Sequence, residues 1–464
     1  MVKRVAKFLW VVCLFTPVSL LQATTFLPEI PIEKNIFSDA PKKDGLLVSI
    51  GSEYASTIRS SALAAFWGPF GQDSFMISHD RENALLSDNY YALAKESRAR
   101  TKISLSLQAQ RYALEPFFKY SKDDWFLGIK VPWRVVEHKT KYVFTPGDEK
   151  LASAAMTKVL EDYFKGNFED TNRDHLQAKL LYGKLTSQAQ RVAGLSDIFF
   201  VVGRNNQNGQ KDLFRWGNVG VFARLPVAPS VSQEMLCQPQ LGLGGSCEVG
   251  LMGNILFPRT QVGQVDYAQA LQGKVSFHFP YSKVLLPKLQ SKGWGHAVLV
   301  GVERMSQSMP LLPLANVLTK HQNIESRMDS RFGYEGVFNY NQVLVNITYA
   351  LRYEEGERVS SVGGLSSVSR FGLGDLDFYD GTYRAHSFGD DGHDFESDLN
   401  NDWLSSKDFS TKPLRSSLVG QEVGVAFSKK IGFFEWKAAF LYLNYPHNVA
   451  FDSFSMIFAI SHFF

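Results

Sequence analysis

The feature that most constrains this chain is a strict two-residue alternation of apolar and polar side chains, sustained over unusually long runs. In "QVLVNITYALRY" Val343, Val345, Ile347, Tyr349, Leu351 and Tyr353 share one face, opposite Gln342, Asn346, Thr348 and Arg352. Successive side chains of a strand point to opposite sides, so each such run has one apolar and one polar face. "WFLGIKVPWRV" repeats the period, with Trp125, Leu127, Ile129, Val131, Trp133 and Val135 opposite Gly128, Lys130 and Arg134. "NVGVFARL" sets Val219, Val221, Ala223 and Leu225 against Asn218, Gly220 and Arg224. "QVDYAQALQGKVSFHF" sets Val265, Tyr267, Leu271, Val275, Phe277 and Phe279 against Asp266, Gln272, Lys274 and His278. In "TKISLSLQAQ" Ile103, Leu105, Leu107 and Ala109 form the apolar face.

Strands of soluble domains mostly run about 5 to 6 residues, whereas a strand that crosses a bilayer needs about 9 to 11. Lipid offers backbone groups no hydrogen bonds, so a spanning sheet must close on itself. The expected fold class is therefore all-β, a transmembrane antiparallel barrel with apolar side chains toward lipid and polar ones toward the lumen. Aromatic girdles at both interfaces would absorb the 13% aromatic content, which includes 36 phenylalanines. A large secreted sandwich or solenoid is the alternative. A formal charge of +3 over 464 residues gives nucleic-acid binding no support.

The first residues point to export. "MVKRVAK" is basic and "FLWVVCLFTPVSLL" is an apolar stretch shorter than the ~20 residues of a spanning helix, with Ala23 placed for cleavage. The expected organisation is a signal peptide at 1–23, a periplasmic segment at 24–44 and the barrel at 45–464, an uncleaved anchor being the alternative. Alternation, turn signals and loop-length parity predict about fourteen strands, with twelve as the alternative. Residues 45–54 supply the first, and a weak one is expected at 283–290 despite Pro287. In the long connection after residue 136, Leu151, Ala154, Ala155, Val159, Leu160 and Tyr163 lie at helical spacing, so a short helix is expected at the barrel mouth.

Several residues are candidates for function. Lys130, Arg134, Arg204, Arg224, Lys274 and Arg352 fall on predicted inward faces and would line a pore, where they could favour anions or serve as internal ion-pair partners. Cys237 and Cys247 form an even pair in an exported chain, and a disulfide closing their Gly-rich loop is expected over two free thiols. Residues 374–402 are rich in acids, but "DLNND" puts Trp403 where a calcium loop needs glycine, which favours a solvated acidic loop without a metal. No zinc-protease, nucleophile-elbow or phosphate-loop motif occurs, so neither an enzyme nor a cofactor is expected.

The last stretch, "FDSFSMIFAISHFF", alternates to Phe464 with Phe454, Met456, Phe458 and Ile460 on one face. It resembles the C-terminal signal of bacterial outer-membrane β-barrel proteins, an amphipathic last strand ending in an aromatic. His462 departs from that pattern. The resemblance implies the barrel-assembly machinery and outer-membrane lipids as partners, and the outer membrane of a Gram-negative-type bacterium as location. The expected function is a passive, porin-like channel for small polar solutes. A FadL-like uptake channel for hydrophobic compounds is the alternative, although that group's asparagine-proline-alanine hatch motif is missing, and a structural or adhesive surface barrel is a third. Exchange of Phe464 for Ser should lower the yield of heat-modifiable, membrane-inserted protein in cells. Equal yields from variant and wild type would contradict the role given to this residue.

Overall fold

The computed structural model describes residues 44–57, 74–77, 101–146, 161–162, 164–167, 179–205, 215–236, 238–258, 260–285, 288–289, 293–294, 299–302, 312–313, 316, 319–341, 343–362, 371–373, 376–379, 382–385, 417–444 and 453–463. Within them the chain forms a closed antiparallel ring of twelve strands. β1 is Gly45–Thr57 and β2 is Thr101–Lys122. β3 is Trp125–Lys130 continued as Trp133–Pro146, and β4 is Gln190–Leu195 continued as Ile198–Asn205. Next come β5 (Arg215–Leu225), β6 (Glu248–Leu256), β7 (Val265–His278), β8 (Arg327–Tyr340) and β9 (Val343–Glu354). The last three are β10 (Leu418–Ile431), β11 (Phe434–Asn444) and β12 (Ser453–Phe463). Each pairs with its neighbours in sequence. β1 closes the ring on β12, from Leu47 opposite Phe463 to Thr57 opposite Ser453.

The ring has twelve strands, the number expected as the alternative to fourteen, and loop parity shows why. The long connections 58–100, 147–189, 226–247, 279–326, 355–417 and 445–452 all fall at one end of the ring. The short ones, 123–124, 206–214, 257–264, 341–342 and 432–433, fall at the other. The segments expected as barrel strands at 283–290 and 295–305 lie instead inside the connection 279–326. Tyr281–Leu285 pairs with Lys320–Ile324, which also pairs with Val359–Val362. Leu299–Val302 pairs with Leu312–Pro313 and Phe371–Leu373. These small sheets join long connections to one another and add nothing to the wall.

Two-residue hairpin turns need a backbone that follows the strands' twist, which places positive φ in the turn. Asp123, Asn341 and Gly432 supply it, with φ of 51°, 50° and 63°. The backbone N–H of Asp123 also donates to the Asp44 carboxylate at 2.7 Å, tying the first turn to the start of β1.

Side-chain direction follows the predicted period almost everywhere. Outward faces carry large apolar residues open to the surroundings, among them Ile50, Leu127, Val221, Leu251, Phe332 and Phe458. A band of this extent exceeds what a soluble monomer exposes and marks a lipid-facing surface. Tyr120, Trp125, Tyr340, Phe434 and Trp436 point outward near the short turns, and Tyr112, Trp133, Phe277, Tyr353 and Tyr442 nearer the long connections. Trp125 and Trp133 are eight positions apart on one face of β3, about 26 Å along the strand and about 20 Å across the membrane at the usual tilt, which matches the apolar band of a transmembrane barrel.

One expected face is inverted. Leu107 and Ala109 of β2 point inward, as do Arg111, Glu115, Phe117 and Lys119 further down the same strand, while Gln108 is exposed. Residues 101–110 lie beyond Tyr112, above the outer aromatic belt, where the outside is polar and the apolar side chains pack inward. Ala109 meets Ala55 there.

The architecture predicts a penalty that the isolated chain would not suffer. Val221 is 58% exposed and sits midway along β5. In water an arginine there would be tolerated, but in a bilayer Val221→Arg should cost about 2 to 4 kcal/mol. Urea titration of the barrel refolded in phosphatidylcholine vesicles checks this, and an unchanged midpoint would contradict a lipid-facing β5.

Candidate functional site

The inward face is polar and densely charged, and its charges are paired across strands. Lys130 Nζ and Arg134 Nη2 of β3 approach the Glu115 carboxylate of β2 at 3.5 and 3.4 Å. Arg224 of β5 and Lys274 of β7 flank Glu248 of β6 at 3.3 and 3.2 Å. Arg352 meets Glu354 on its own strand at 2.8 Å. Five of the six expected pore-lining residues therefore point inward, each within ion-pair distance of a carboxylate.

Arg204 is the correction. It stands opposite Trp125 in the β3–β4 register, and paired residues share a face, so it points outward with that tryptophan. Its guanidinium meets Asp124 of the first short turn at 3.1 Å, and its side chain is 64% exposed. The strand expected here began at 196, and its run Ile198, Phe199, Phe200, Val201 and Val202 is apolar on both faces, so alternation does not fix the face that Arg204 takes.

The inward acids were the larger omission from the sequence reading. Glu53 takes Arg111 at 2.6 Å. Arg331 holds Glu422 with two donors, Nε at 3.1 Å and Nη2 at 2.7 Å, and reaches Gln272 with a third at 3.4 Å. Gln272 in turn donates to Glu335. Strand parity alone would have found them, since Glu53, Glu335 and Glu422 alternate with outward Tyr54, Tyr334 and Val423. Burying one member of such a pair alone would cost several kcal/mol, so basic and acidic residues enter a narrow lumen together.

Beside the charges lies a second kind of wall. Phe117, Phe126, Phe199, Val201, Phe222 and Met252 form one buried inward cluster across β2 to β6. Phe222 lies against Gly250, and Phe126 against Gly203, where any side chain would collide with the ring. The rings thus lie flat on the strands. Lys119 and Lys274 hold their ammonium groups 4.5 Å from the centroids of Phe126 and Phe222.

The outer mouth is narrowed by the connection 226–247, which is bound to the inner surface of the wall. At the β4 irregularity the buried Asp197 carboxylate accepts the backbone N–H of Leu243 at 2.6 Å and of Ala228 at 3.3 Å. The Leu241 carbonyl accepts from the Ser196 hydroxyl at 2.5 Å and from Arg134 Nη1 at 3.5 Å. Further along, the Ser246 hydroxyl lies 3.2 Å from His278 Nδ1, and His278 Nε2 lies 2.8 Å from Asp329. That row has the residue types of a hydrolase relay, but Ser246 is fully buried and closed to a substrate carbonyl. Its role here is to tie the loop to β7 and β8.

Other long connections join in. Gly183 and Lys184 donate backbone N–H groups to Gln233 and Glu234, and Leu236 donates back to Lys184. Asn316 bridges the Leu181 N–H and the Lys179 carbonyl. Residues 161–162 and 164–165 are helical, and the Phe164 carbonyl accepts from Leu185, so the end of the expected helix does pack at the mouth. Leu151, Ala154, Ala155, Val159, Leu160 and Tyr163 lie outside the described residues. On the far side of the mouth Glu357 is buried among Tyr281, Lys283 and Arg327. Burial alone would raise its pKa, but the two cations and the tyrosine hydroxyl hold it below the ordinary glutamate value.

Cys237 and Phe464 lie outside the described residues, as do the expected disulfide and terminal aromatic that rest on them. Most of the acidic stretch 374–402 does too. Among the described residues no cluster of ligating side chains could hold a metal ion. Met456, Phe458 and Ile460 point outward on the closing strand, as expected.

A closed antiparallel ring with an outward apolar band, two aromatic belts, a charged lumen and all long connections at one end defines a class: the chain is an outer-membrane β-barrel. No protein-family model matches it, and no curated protein does. Among solved structures it is similar to an outer-membrane channel of Pseudomonas putida F1, at 8% identity over 92% of this chain and 97% of that one, with a TM-score of 0.42. The transport unit of an autotransporter of Escherichia coli gives 8% identity, 91% of each chain and a TM-score of 0.33. A FadL homologue of Pseudomonas aeruginosa gives 8%, 91% of this chain, 90% of that one and 0.26. At such values the class rests on the ring itself.

Asp197→Ala should release the loop 226–247 from the wall, with a loss of about 1.5 to 3 kcal/mol for each hydrogen bond to the carboxylate. Limited proteolysis within 226–247 should accelerate at least tenfold while the heat-modifiable barrel persists. An unchanged cleavage rate would show that the loop is held by other means.

Proposed function

We propose that the barrel is a passive, porin-like channel for small polar solutes. The observation that supports this most is the lining. Inward carboxylates and cations alternate around much of the ring, with Glu115, Glu248 and Glu422 each within reach of arginine or lysine. Such a surface stays wetted, offers hydrogen bonds to uncharged polar molecules, and carries no single-sign ring of the kind that selects anions or cations. Of the two roles expected for the basic residues, anion preference and internal ion pairing, this lining supports the second and with it weak ion selectivity. The loop 226–247 sets an upper limit on solute size.

One observation favours a second reading, passage of hydrophobic compounds: the inward cluster of Phe117, Phe126, Phe199, Phe222 and Met252 offers an apolar track along one wall. The cation–π contacts and the flat seating of Phe126 and Phe222 make it part of the wall's packing, and for that reason the polar reading is preferred.

Reconstitution in a planar bilayer tests both. The polar reading predicts discrete conductance steps, weak preference between potassium and chloride, and uptake of small sugars by liposomes carrying the barrel. Glu248→Gln, which leaves Arg224 and Lys274 without their carboxylate, should shift permeability toward chloride. Silent bilayers combined with saturable transfer of a fatty acid or toluene would overturn it in favour of the second reading.

A further inference from the structure

The outward face of β8 to β12 is apolar and aromatic along almost its whole length. From Met328 of β8 to His462 of β12 its outward positions carry no carboxylate and one lysine, Lys429 of β10. Lys429 is exposed and shares this face with Phe427 and Ile431 on its own strand. Val343 of β9 and Trp436 of β11 stand opposite it in the two ladders. Two positions nearer the short turns, Ile431, Phe434 and His462 form the next row. A carbonyl can only accept, so His462 Nδ1 donates to the Phe433 carbonyl at 2.9 Å and ties the turn at 432–433 to the last strand. The rings of Phe433 and Phe434 lie 6.3 and 5.2 Å from this imidazole, and Phe433 is 81% exposed. Lys130 and Lys274 are held against carboxylates inside the lumen, whereas Lys429 stands outside it, where neither ladder offers one.

Its height suits the phosphate of a lipid. Trp436 belongs to the belt at the membrane boundary, where indoles sit at headgroup level. One row of the ladder spans about 6.6 Å along the strand, or about 5 Å across the membrane at the usual tilt. The stem of Lys429 can lie along the wall and lift the ammonium by about 5 Å, to the level of His462. That level falls inside the headgroup layer, which adds roughly 5 to 8 Å to each side of the hydrocarbon core. We propose that Lys429, with Phe433, Phe434 and Trp436 beside it, binds the phosphate of an anionic glycerophospholipid in the leaflet at the short-turn end. Short turns of this class face the periplasm, so the leaflet is the inner one. A zwitterionic lipid brings its own ammonium and leaves the lysine unbalanced, which makes net negative charge the criterion of choice. The site lies on the lipid side of the wall, so this inference and the channel reading stand or fall separately.

The test uses the full chain refolded in a non-ionic detergent, with phosphatidylglycerol and phosphatidylethanolamine of the same acyl chains as probes and native mass spectrometry as readout. Wild type should retain phosphatidylglycerol about fivefold better, the preference that one lysine near a membrane surface supplies. K429Q should erase that preference and K429R should keep it. K165Q, which removes a lysine paired with Glu161 at the outer mouth, should leave it unchanged. The preference of wild type should fade as ionic strength rises from about 0.05 to about 0.5 M, a readout that needs no variant to fold. Equal retention of the two lipids by wild type would overturn the proposal. So would a preference that survives K429Q or high salt, a loss with K165Q as large as with K429Q, or binding of glycerol phosphate as tight as that of the lipid.

Discussion

The structure depends on the pairing of its first strand with its last. A sheet in lipid cannot leave an edge, because each unpaired backbone group there costs several kcal/mol with no water to compensate. β1 and β12 meet along their whole length, from Leu47 with Phe463 to Thr57 with Ser453. Every other property follows from closure. It divides side chains into two populations by parity alone, and it places the long connections at one end and the tight turns at the other.

Closure also creates an interior too narrow for charges to be left alone. Each basic group inside must either find a carboxylate or lose its charge, and the strands supply partners directly opposite or two to four positions along the neighbouring strand, or, for Arg331, two strands away. Glu115 serves Lys130 and Arg134, Glu248 serves Arg224 and Lys274, and Arg331 grips Glu422 with two donors. The first four of these pairs brace neighbouring strands, Arg331 and Glu422 reach across β9, and together they keep the lining polar without a dominant sign. At the mouth, the break in β4 is put to use. Ser196 and Asp197 leave the ladder and turn their side chains to the loop 226–247, so an irregularity in the wall becomes the loop's anchor.

Much of this was legible in the sequence wherever lipid imposes the period. β5, β7, β9 and β12 have the faces their alternation predicts, and Lys130, Arg134, Arg224, Lys274 and Arg352 point inward as read. The reading failed where the bilayer does not act on the residues. Leu107 and Ala109 lie above the outer belt, where the apolar face turns inward. Arg204 follows Phe199, Phe200, Val201 and Val202, a run apolar on both faces that leaves parity open. Residues 283–290 and 295–305 were expected as spanning strands, yet the observed strands there, Tyr281–Leu285 and Leu299–Val302, pair within and between long connections. The anchors of the mouth, Asp197 with Leu243 and His278 with Ser246 and Asp329, join segments 32 to 51 positions apart, and no local pattern announces them.

Closure is open to a direct test by cross-linking. Ser49 of β1 and Ser461 of β12 stand opposite one another and point inward. In a background freed of Cys13, Cys237 and Cys247, the pair Ser49→Cys and Ser461→Cys should form a disulfide on mild oxidation of the membrane-inserted protein, within reach of directly opposed Cβ atoms. The denatured, unreduced chain would then be a covalent ring and run anomalously until reduced. A control pairing Ser49→Cys with Ser455→Cys, six positions off register on the same face, should not link. Failure of the first pair, or linking of both alike, would contradict a ring closed in this register.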